Sequence, residues 1–155
     1  MSIRNAAKAI ILHDGKVLLN KCCDSTGTIY YALPGGGQNQ YETMEEAVIR
    51  ECLEETGYLV IPIKFIALYE EIFNDPEARK NNPNYTHKIY HVFICKLSQE
   101  VVQIATEKDS EQVGCQWVDI QNIMQINLFP LKIRNNLQQL VNADTPLYLG
   151  SDHID

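Results

Sequence analysis

The stretch that most restricts what this chain can become runs from Thr43 to Gly57, because it reads as a helix with both ends written into it. Thr43-Met44-Glu45-Glu46 is a capping box, in which the Thr43 hydroxyl accepts the Glu46 N–H and the Glu46 carboxylate reaches back to the Thr43 N–H. Gly57 supplies the residue after the helix that turns left-handed at no steric cost. The spacing predicts a helix from about Met44 to Thr56. Met44, Val48 and Cys52 step by four and form an apolar stripe, with Ala47 beside it. Glu51 and Glu55 fall on the arc that continues this stripe, and Glu54 lies next to them.

Three carboxylates at these spacings repel one another by a few tenths of a kcal/mol per pair, roughly. Glu54 and Glu55 also occupy the last turn, where the helix dipole disfavours negative charge. A solvated acidic face could relieve the conflict with lysines, yet Arg50 is the only basic residue in the helix. A divalent cation relieves it better. Hard ions such as Mg²⁺ take oxygen ligands and combine a few carboxylates with water and phosphate oxygens. On the residues alone, a metal site and a solvated acidic face both stay open.

Around the helix, the chain reads as one mixed α/β domain over residues 1–143. Ala6–Leu12 and Val17–Leu19 flank the turn signal His13-Asp14-Gly15 and form a hairpin. A short aromatic strand, Ile29–Leu33, ends where Pro34-Gly35-Gly36-Gly37 breaks the chain. Strands are expected around Tyr58–Glu71, Lys88–Lys96 and Val113–Val118, with a polar loop from Asn74 to Asn84 and an acidic one from Thr106 to Glu111. A short helical piece near Ile120–Met124 precedes a helix opened by Pro130, with Ile133, Leu137, Leu140 and Val141 on one side. Residues 144–155 are expected to be a peripheral or frayed tail.

Composition excludes several functions. Hydrophobic residues make up 45% and charged residues 21%, as in ordinary globular domains, and no apolar run is long enough to cross a bilayer. The start of the chain lacks a secretory pattern, so the cytoplasm is the expected location and no membrane partner is expected. A net charge of −7, without a visible basic patch, argues against a nucleic-acid polymer as partner. An acidic protein can still take a small anionic substrate when a metal ion brings the positive charge. Cys22, Cys23, Cys52, Cys95 and Cys115 match neither a disulfide framework nor a zinc pattern and are expected to be mostly reduced, buried or inert.

Gly36, five residues, Glu42, seven residues, and then Arg50-Glu51-Cys52-Leu53-Glu54-Glu55-Thr56-Gly57-Tyr58 resembles the box of the Nudix hydrolases. That box is Gly-x5-Glu-x7-Arg-Glu-U-x-Glu-Glu-x-Gly-U, with U a bulky aliphatic residue. Every Gly, Glu and Arg is in place, while Cys52 and Tyr58 stand at the two U positions. The resemblance implies an α/β/α sandwich with a mixed β-sheet and a loop–helix–loop metal site. It implies Glu51, Glu54 and Glu55 as metal ligands, with Mg²⁺ as cofactor and Mn²⁺ as a substitute. Arg50 would orient the carboxylates, Glu42 would support them, and Gly36 and Gly37 would admit the metal and a pyrophosphate. The implied reaction is attack of metal-activated water on a diphosphate linking a nucleoside to another group X. Glu54 is the expected base, with Glu111 favoured among the downstream acids Glu107, Asp109 and Glu111. Tyr31, or its neighbour Tyr30, is a candidate for stacking on a base. Family members are often homodimers. The alternative reading keeps the fold as a silent nucleotide sensor.

Overall fold

The architecture is organised around β1 (Arg4–His13), a strand apolar on both sides. In this computed structural model, which describes residues 2–98 and 111–155, side chains alternate along β1 with the two-residue period of a strand. Ala6 and Ile10 enter one core with Ile133, Leu137 and Leu140 of α3 (Leu131–Asn142). Ala7, Ala9 and Ile11 enter a second core with Ala47, Val48 and Cys52 of α1 (Met44–Thr56). A strand covered on both faces reads as a continuous apolar run, as Ala6–Leu12 does. The result is the expected α/β sandwich with a helix on each side of a mixed sheet.

The remaining strands are β2 (Lys16–Cys23), β3 (Ile29–Ala32), β4 (Gly35–Gly37), β5 (Val60–Phe73), β6 (His87–Leu97), β7 (Gln112–Asp119), β8 (Leu128–Phe129) and β9 (Leu147–Ile154). Their order is β8-β3-β2-β1-β6-β5-β9, with β4 also paired to β1 and β7 to β2. β1–β6, β5–β9 and β3–β8 run parallel, and the other pairs are antiparallel. Asp14 and Gly15 turn the β1–β2 hairpin with φ of 49° and 73°, the positive values such two-residue turns need. Only Leu12↔Val17 and His13↔Lys16 pair across it, so the earlier part of that edge of β1 can accept β4.

The capping box is present as expected, with Glu46 N donating to Thr43 Oγ1 at 3.1 Å and Thr43 N to Glu46 Oε2 at 2.8 Å. Gly57 ends the helix at φ 77° and donates its N–H to Leu53. Trp117 of β7 packs edge-on against Tyr58 and joins the α1-side core, anchoring sheet to helix.

Three expectations change. Pro34–Gly37 is not simply a break, because Gly35–Gly37 pairs with β1 through Ala6↔Gly37, Ala7↔Gly36 and Lys8↔Gly35. The polar loop holds a six-residue helix, α2 (Pro76–Asn81), and a 3-10 turn at Pro83–Tyr85. So short a helix shows no usable periodicity and rests on its cap, where Asp75 accepts Glu77 N at 3.0 Å. Residues 144–155 are peripheral only in position: β9 is an edge strand running beside β5 from Ala67↔Leu147 to Phe73↔Ile154. Its Gly150-Ser151-Asp152 centre reads as a turn in isolation, and only the waiting edge of β5 makes it a strand. Glu107 and Asp109 lie outside the described residues. Among the described residues no helix is long and apolar enough to cross a membrane.

Leu137 is fully buried and Leu131, on the same helix, is 46% exposed. Leu137→Ala is expected to lower unfolding free energy by about 2–5 kcal/mol, and Leu131→Ala by roughly 0.5 kcal/mol or less. Urea titrations giving equal losses for the two variants would contradict the assignment of α3 to the larger core.

Candidate metal and diphosphate cleft

Helix α1 carries the carboxylates, and Arg50 organises them. Its guanidinium grips Glu42 with two hydrogen bonds, Nε to Oε1 at 2.6 Å and Nη2 to Oε2 at 2.9 Å. Such a fork against a carboxylate is both strong and directional. Nη2 also donates to the Gly37 carbonyl at 3.0 Å, and Nη1 reaches Glu51 Oε1 at 2.8 Å and Glu54 Oε2 at 3.3 Å. One cation therefore ties the loop before α1 to two successive acidic turns of it. Arg50 and Glu42, both singled out in the sequence, are thus brought together beside Glu51 and Glu54.

Glu55 is held differently. It is 4% exposed, and its Oε2 accepts Gly35 N at 2.8 Å and Asn20 Nδ2 at 3.0 Å. Gln112 Nε2 braces the same corner through Asn20 Oδ1 at 3.3 Å and the Glu55 carbonyl at 3.1 Å. Neither Asn20 nor Gln112 carries a local sequence signal; each is one of several polar residues in its strand.

The glycines explain how these groups reach common space. A Cβ on Gly36 would lie 2.7 Å from the Glu51 carboxylate, and one on Gly37 would lie 2.5 Å from the Arg4 guanidinium. Gly35, at φ 133°, has its missing Cβ directed 2.0 Å from the Ala7 carbonyl oxygen, so no other residue fits there. Because β4 is bare, the carboxylates of α1 and the cations of β1 and β6 open onto one cleft of about 530 Å³. Its walls include Glu51, Glu54, Glu55 and Arg50 on one side and Arg4, Lys8 and Lys88 on the other.

Those cations are the main feature the sequence concealed. Arg4 and Lys8 share a face of β1 four residues apart, and the parallel register sets Lys88 opposite Arg4. Lys8 Nζ donates to the Gly35 carbonyl at 2.9 Å, and the Arg4 guanidinium sits 4.6 Å from the centre of the Tyr85 ring. Burial lowers the Lys88 pKa, while Glu71 beside it opposes that effect. An acidic chain thus gathers positive charge locally, through strand register and not composition.

Among the described residues no three His, Cys, Asp or Glu side chains are gathered into a ready-made cation cage. Glu51, Glu54 and Glu55 nevertheless offer only oxygen donors to one open cleft, with a backbone at Gly36 that leaves room beside Glu51. A hard divalent ion that keeps several waters and shares phosphate oxygens fits such a set. The histidines lie elsewhere: His87 Nε2 meets Glu70 at 2.8 Å and His91 Nε2 meets Asn5 at 3.3 Å.

Two candidates are placed away from this cleft. Tyr31 joins the α3-side core and reaches Gln116 Oε1 at 3.2 Å, because its strand position turns it opposite to Tyr30. Tyr30 lines a neighbouring cleft and donates its hydroxyl to Glu111 Oε2. Glu111 is thereby engaged at the end of β3 and is absent from the walls of the carboxylate cleft. The cysteines form no disulfide; Cys22, Cys52 and Cys95 are buried, Cys23 is partly so and Cys115 is exposed. Burial pushes the Cys95 thiol up to about 12.

The Arg50 fork has a signature in acid. It holds the Glu42 pKa below the ordinary glutamate value of about 4.5, with burial opposing. A folded pKa below the unfolded one means stabilisation that is complete above the ordinary value and is lost as pH falls through the lowered one. Glu42→Gln should therefore be less stable than wild type at neutral pH and should lose less stability across that acid window. Urea midpoints measured through the window check this, and parallel pH profiles would exclude it.

Comparison with known proteins finds a family and relatives of this fold. The NUDIX domain model matches residues 3–140. An ADP-ribose pyrophosphatase of Methanocaldococcus jannaschii is 39% identical over 73 residues, covering 47% of this chain and 43% of that protein. A second curated relative, from Caenorhabditis elegans, is matched over 30% of its length, so the chain spans less than half of each. Among solved structures, a NUDIX hydrolase from Nitrosomonas europaea superposes with a TM-score of 0.70 at 21% identity, covering 94% of both chains. A UDP-X diphosphatase superposes with a TM-score of 0.68 at 21% identity, covering 98% of this chain and 68% of that one. With its fold, its complete box and a family match spanning most of its length, this chain belongs to the NUDIX domain family.

Proposed function

We propose that the chain is a divalent-metal-dependent hydrolase that cleaves the diphosphate of a nucleoside diphosphate linked to another group X. The observation that carries this reading is the meeting of Glu51, Glu54 and Glu55 with Arg4, Lys8 and Lys88 across one cleft. Opposite charges facing each other across open space suit a substrate that is itself anionic and arrives with a cation. The naming of one relative as an ADP-ribose pyrophosphatase and of a structural neighbour as a UDP-X diphosphatase supports the same linkage.

Mg²⁺, with Mn²⁺ as a substitute, would be held by Glu51, Glu54 and Glu55; when bound, it neutralises the diphosphate and lowers the cost of charge developing at phosphorus. The rest of the chemistry falls to the chain. Lys8, Lys88 and Arg4 meet the phosphate oxygens from the sheet side and orient the linkage. Glu54 takes the proton of the attacking water as its oxygen bonds to phosphorus. The bond from that phosphorus to the bridging oxygen breaks, and the bridging oxygen leaves with the other phosphate. Arg50 keeps Glu51 and Glu54 together and aligned during this transfer. Glu55, buried and doubly hydrogen-bonded, sets the position of the helix end against β4. Glu111 is the competing base, although its bond to Tyr30 engages it outside the walls of the carboxylate cleft.

A panel of nucleoside diphosphate-X and nucleoside triphosphate compounds, assayed with Mg²⁺ and with chelator, tests the proposal. Turnover should need the metal, and Glu54→Gln should lower kcat by roughly 10²- to 10⁴-fold. Glu111→Gln should change kcat far less; the reverse order would move the base to Glu111. Turnover that persists in chelator would remove the metal, and silence across the panel from a folded protein would favour a ligand sensor.

A further inference from the structure

The sheet face that bears Arg4 and Lys8 changes sign across its width. On β5 and β9 the same face carries Glu71 and Asp152, which stand opposite each other in the parallel register. They line a second cleft of about 700 Å³, which meets the first at Lys8, Lys88 and Tyr90. Its other walls are mainly aromatic and aliphatic, with Tyr30, Phe73, Phe129 and Leu131 among them.

Each carboxylate spends one oxygen and keeps the other. Glu71 is 6% exposed; its Oε1 accepts the Tyr90 hydroxyl at 3.1 Å and pairs with Lys88 Nζ at 3.2 Å. Asp152 Oδ2 accepts the Tyr69 hydroxyl at 3.1 Å and pairs with Lys132 Nζ at 3.3 Å. Among the described residues no hydrogen bond falls on Glu71 Oε2 or Asp152 Oδ1. Only Gln112 Oε1 is both sealed from solvent and without a partner among the described residues, so Glu71 Oε2 keeps contact with the cleft. Tyr69 and Tyr90, stacked with centroids 5.8 Å apart, fix the two carboxylates side by side.

A ligand that displaces solvent from these acceptors must bring donors to them, or the exchange is costly. Apolar walls around a few convergent polar groups suit a flat ring with a polar edge. Like charge also keeps a diphosphate away from this end and leaves it at the cationic junction. We infer that this second cleft binds an amino-bearing nucleobase, adenine or guanine, with its N–H edge on Asp152 and Glu71. The inference rests on the chain being a hydrolase of a nucleoside diphosphate compound. It makes β9 a specificity element that supplies Asp152 to the site.

Hypoxanthine is the informative probe, because it carries a carbonyl where adenine has its amino group and lacks the 2-amino group of guanine. Calorimetric binding of AMP, GMP and IMP without metal, and kcat/KM for the matching nucleoside diphosphate compounds with Mg²⁺, are measured for wild type and Asp152→Asn. Wild type should favour an amino-bearing base over hypoxanthine by roughly 10- to 100-fold, expressed in KM and not in kcat. In Asp152→Asn that ratio should fall towards one, and Glu71→Gln should act in the same direction if it folds. Equal binding of the three monophosphates by wild type overturns the inference. So does an Asp152→Asn variant that melts earlier but keeps the ratio, since Asp152 would then only staple β9 to Tyr69 and Lys132. Base-selective binding without hydrolysis of any compound would sink the hydrolase and spare the base site; hydrolysis with no base preference would do the opposite.

Discussion

Everything at the carboxylate cleft depends on one guanidinium. Arg50 meets Glu42, Glu51, Glu54 and the Gly37 carbonyl at once, and it does so from inside the helix whose acidic turns it restrains. Without it, Glu51 and Glu54 would repel each other and swing towards solvent, and the loop that delivers Gly36 would lose its tie to α1. A lysine could not replace it, because a single ammonium cannot offer a fork to Glu42 and a third direction to the helix acids together. The arrangement keeps negative charge concentrated before any cation arrives. Such stored repulsion would be relieved by a divalent cation.

The second constraint is steric. β4 has no side chains, and each of its glycines meets a different obstacle: the Ala7 carbonyl, the Glu51 carboxylate and the Arg4 guanidinium. The bare strand is therefore a window between two faces of the sandwich. The acids of α1 lie on one side, and the cations of β1 and β6 lie on the other. The α1-side core positions the first group by packing Ala47, Val48 and Cys52 against β1. The register of β1 on β6 positions the second. Under the proposed function the acids would hold a metal and the cations would meet the diphosphate.

The sheet also orders charge along its width. Basic residues on β1 give way to the Lys88–Glu71 pair between β6 and β5, and then to Asp152 on β9. An elongated ligand with one anionic end and one donor-rich end matches that gradient in a single direction. Hydrogen bonds and ion pairs tether Lys8, Lys88, Glu71 and Asp152, so the gradient follows the register of the strands that carry them.

How much of this was legible depends on the range of the interactions. The capping box, Gly57 and the acidic turns of α1 are local, set by residues three and four apart, and the linear chain states them directly. The full box added Gly36, Glu42 and Arg50, because their spacing along the chain is the signature itself. The roles of Asn20, Gln112, Lys8 and Lys88 stayed hidden, since none belongs to a local motif and only strand pairing brings each to the site. β9 escapes a local reading for the same reason: Gly150-Ser151-Asp152 has the local chemistry of a turn, and only the edge of β5 makes it a strand. Tyr31 and Tyr30 differ by one residue and so face opposite sides, a distinction that period-two geometry imposes and composition cannot reveal. The sequence by itself determined the helix, its caps and its acids through short-range hydrogen bonds and periodicity. Tertiary structure alone decided which cations, amides and carboxylates face them, because strand register and sheet order join residues far apart in the chain.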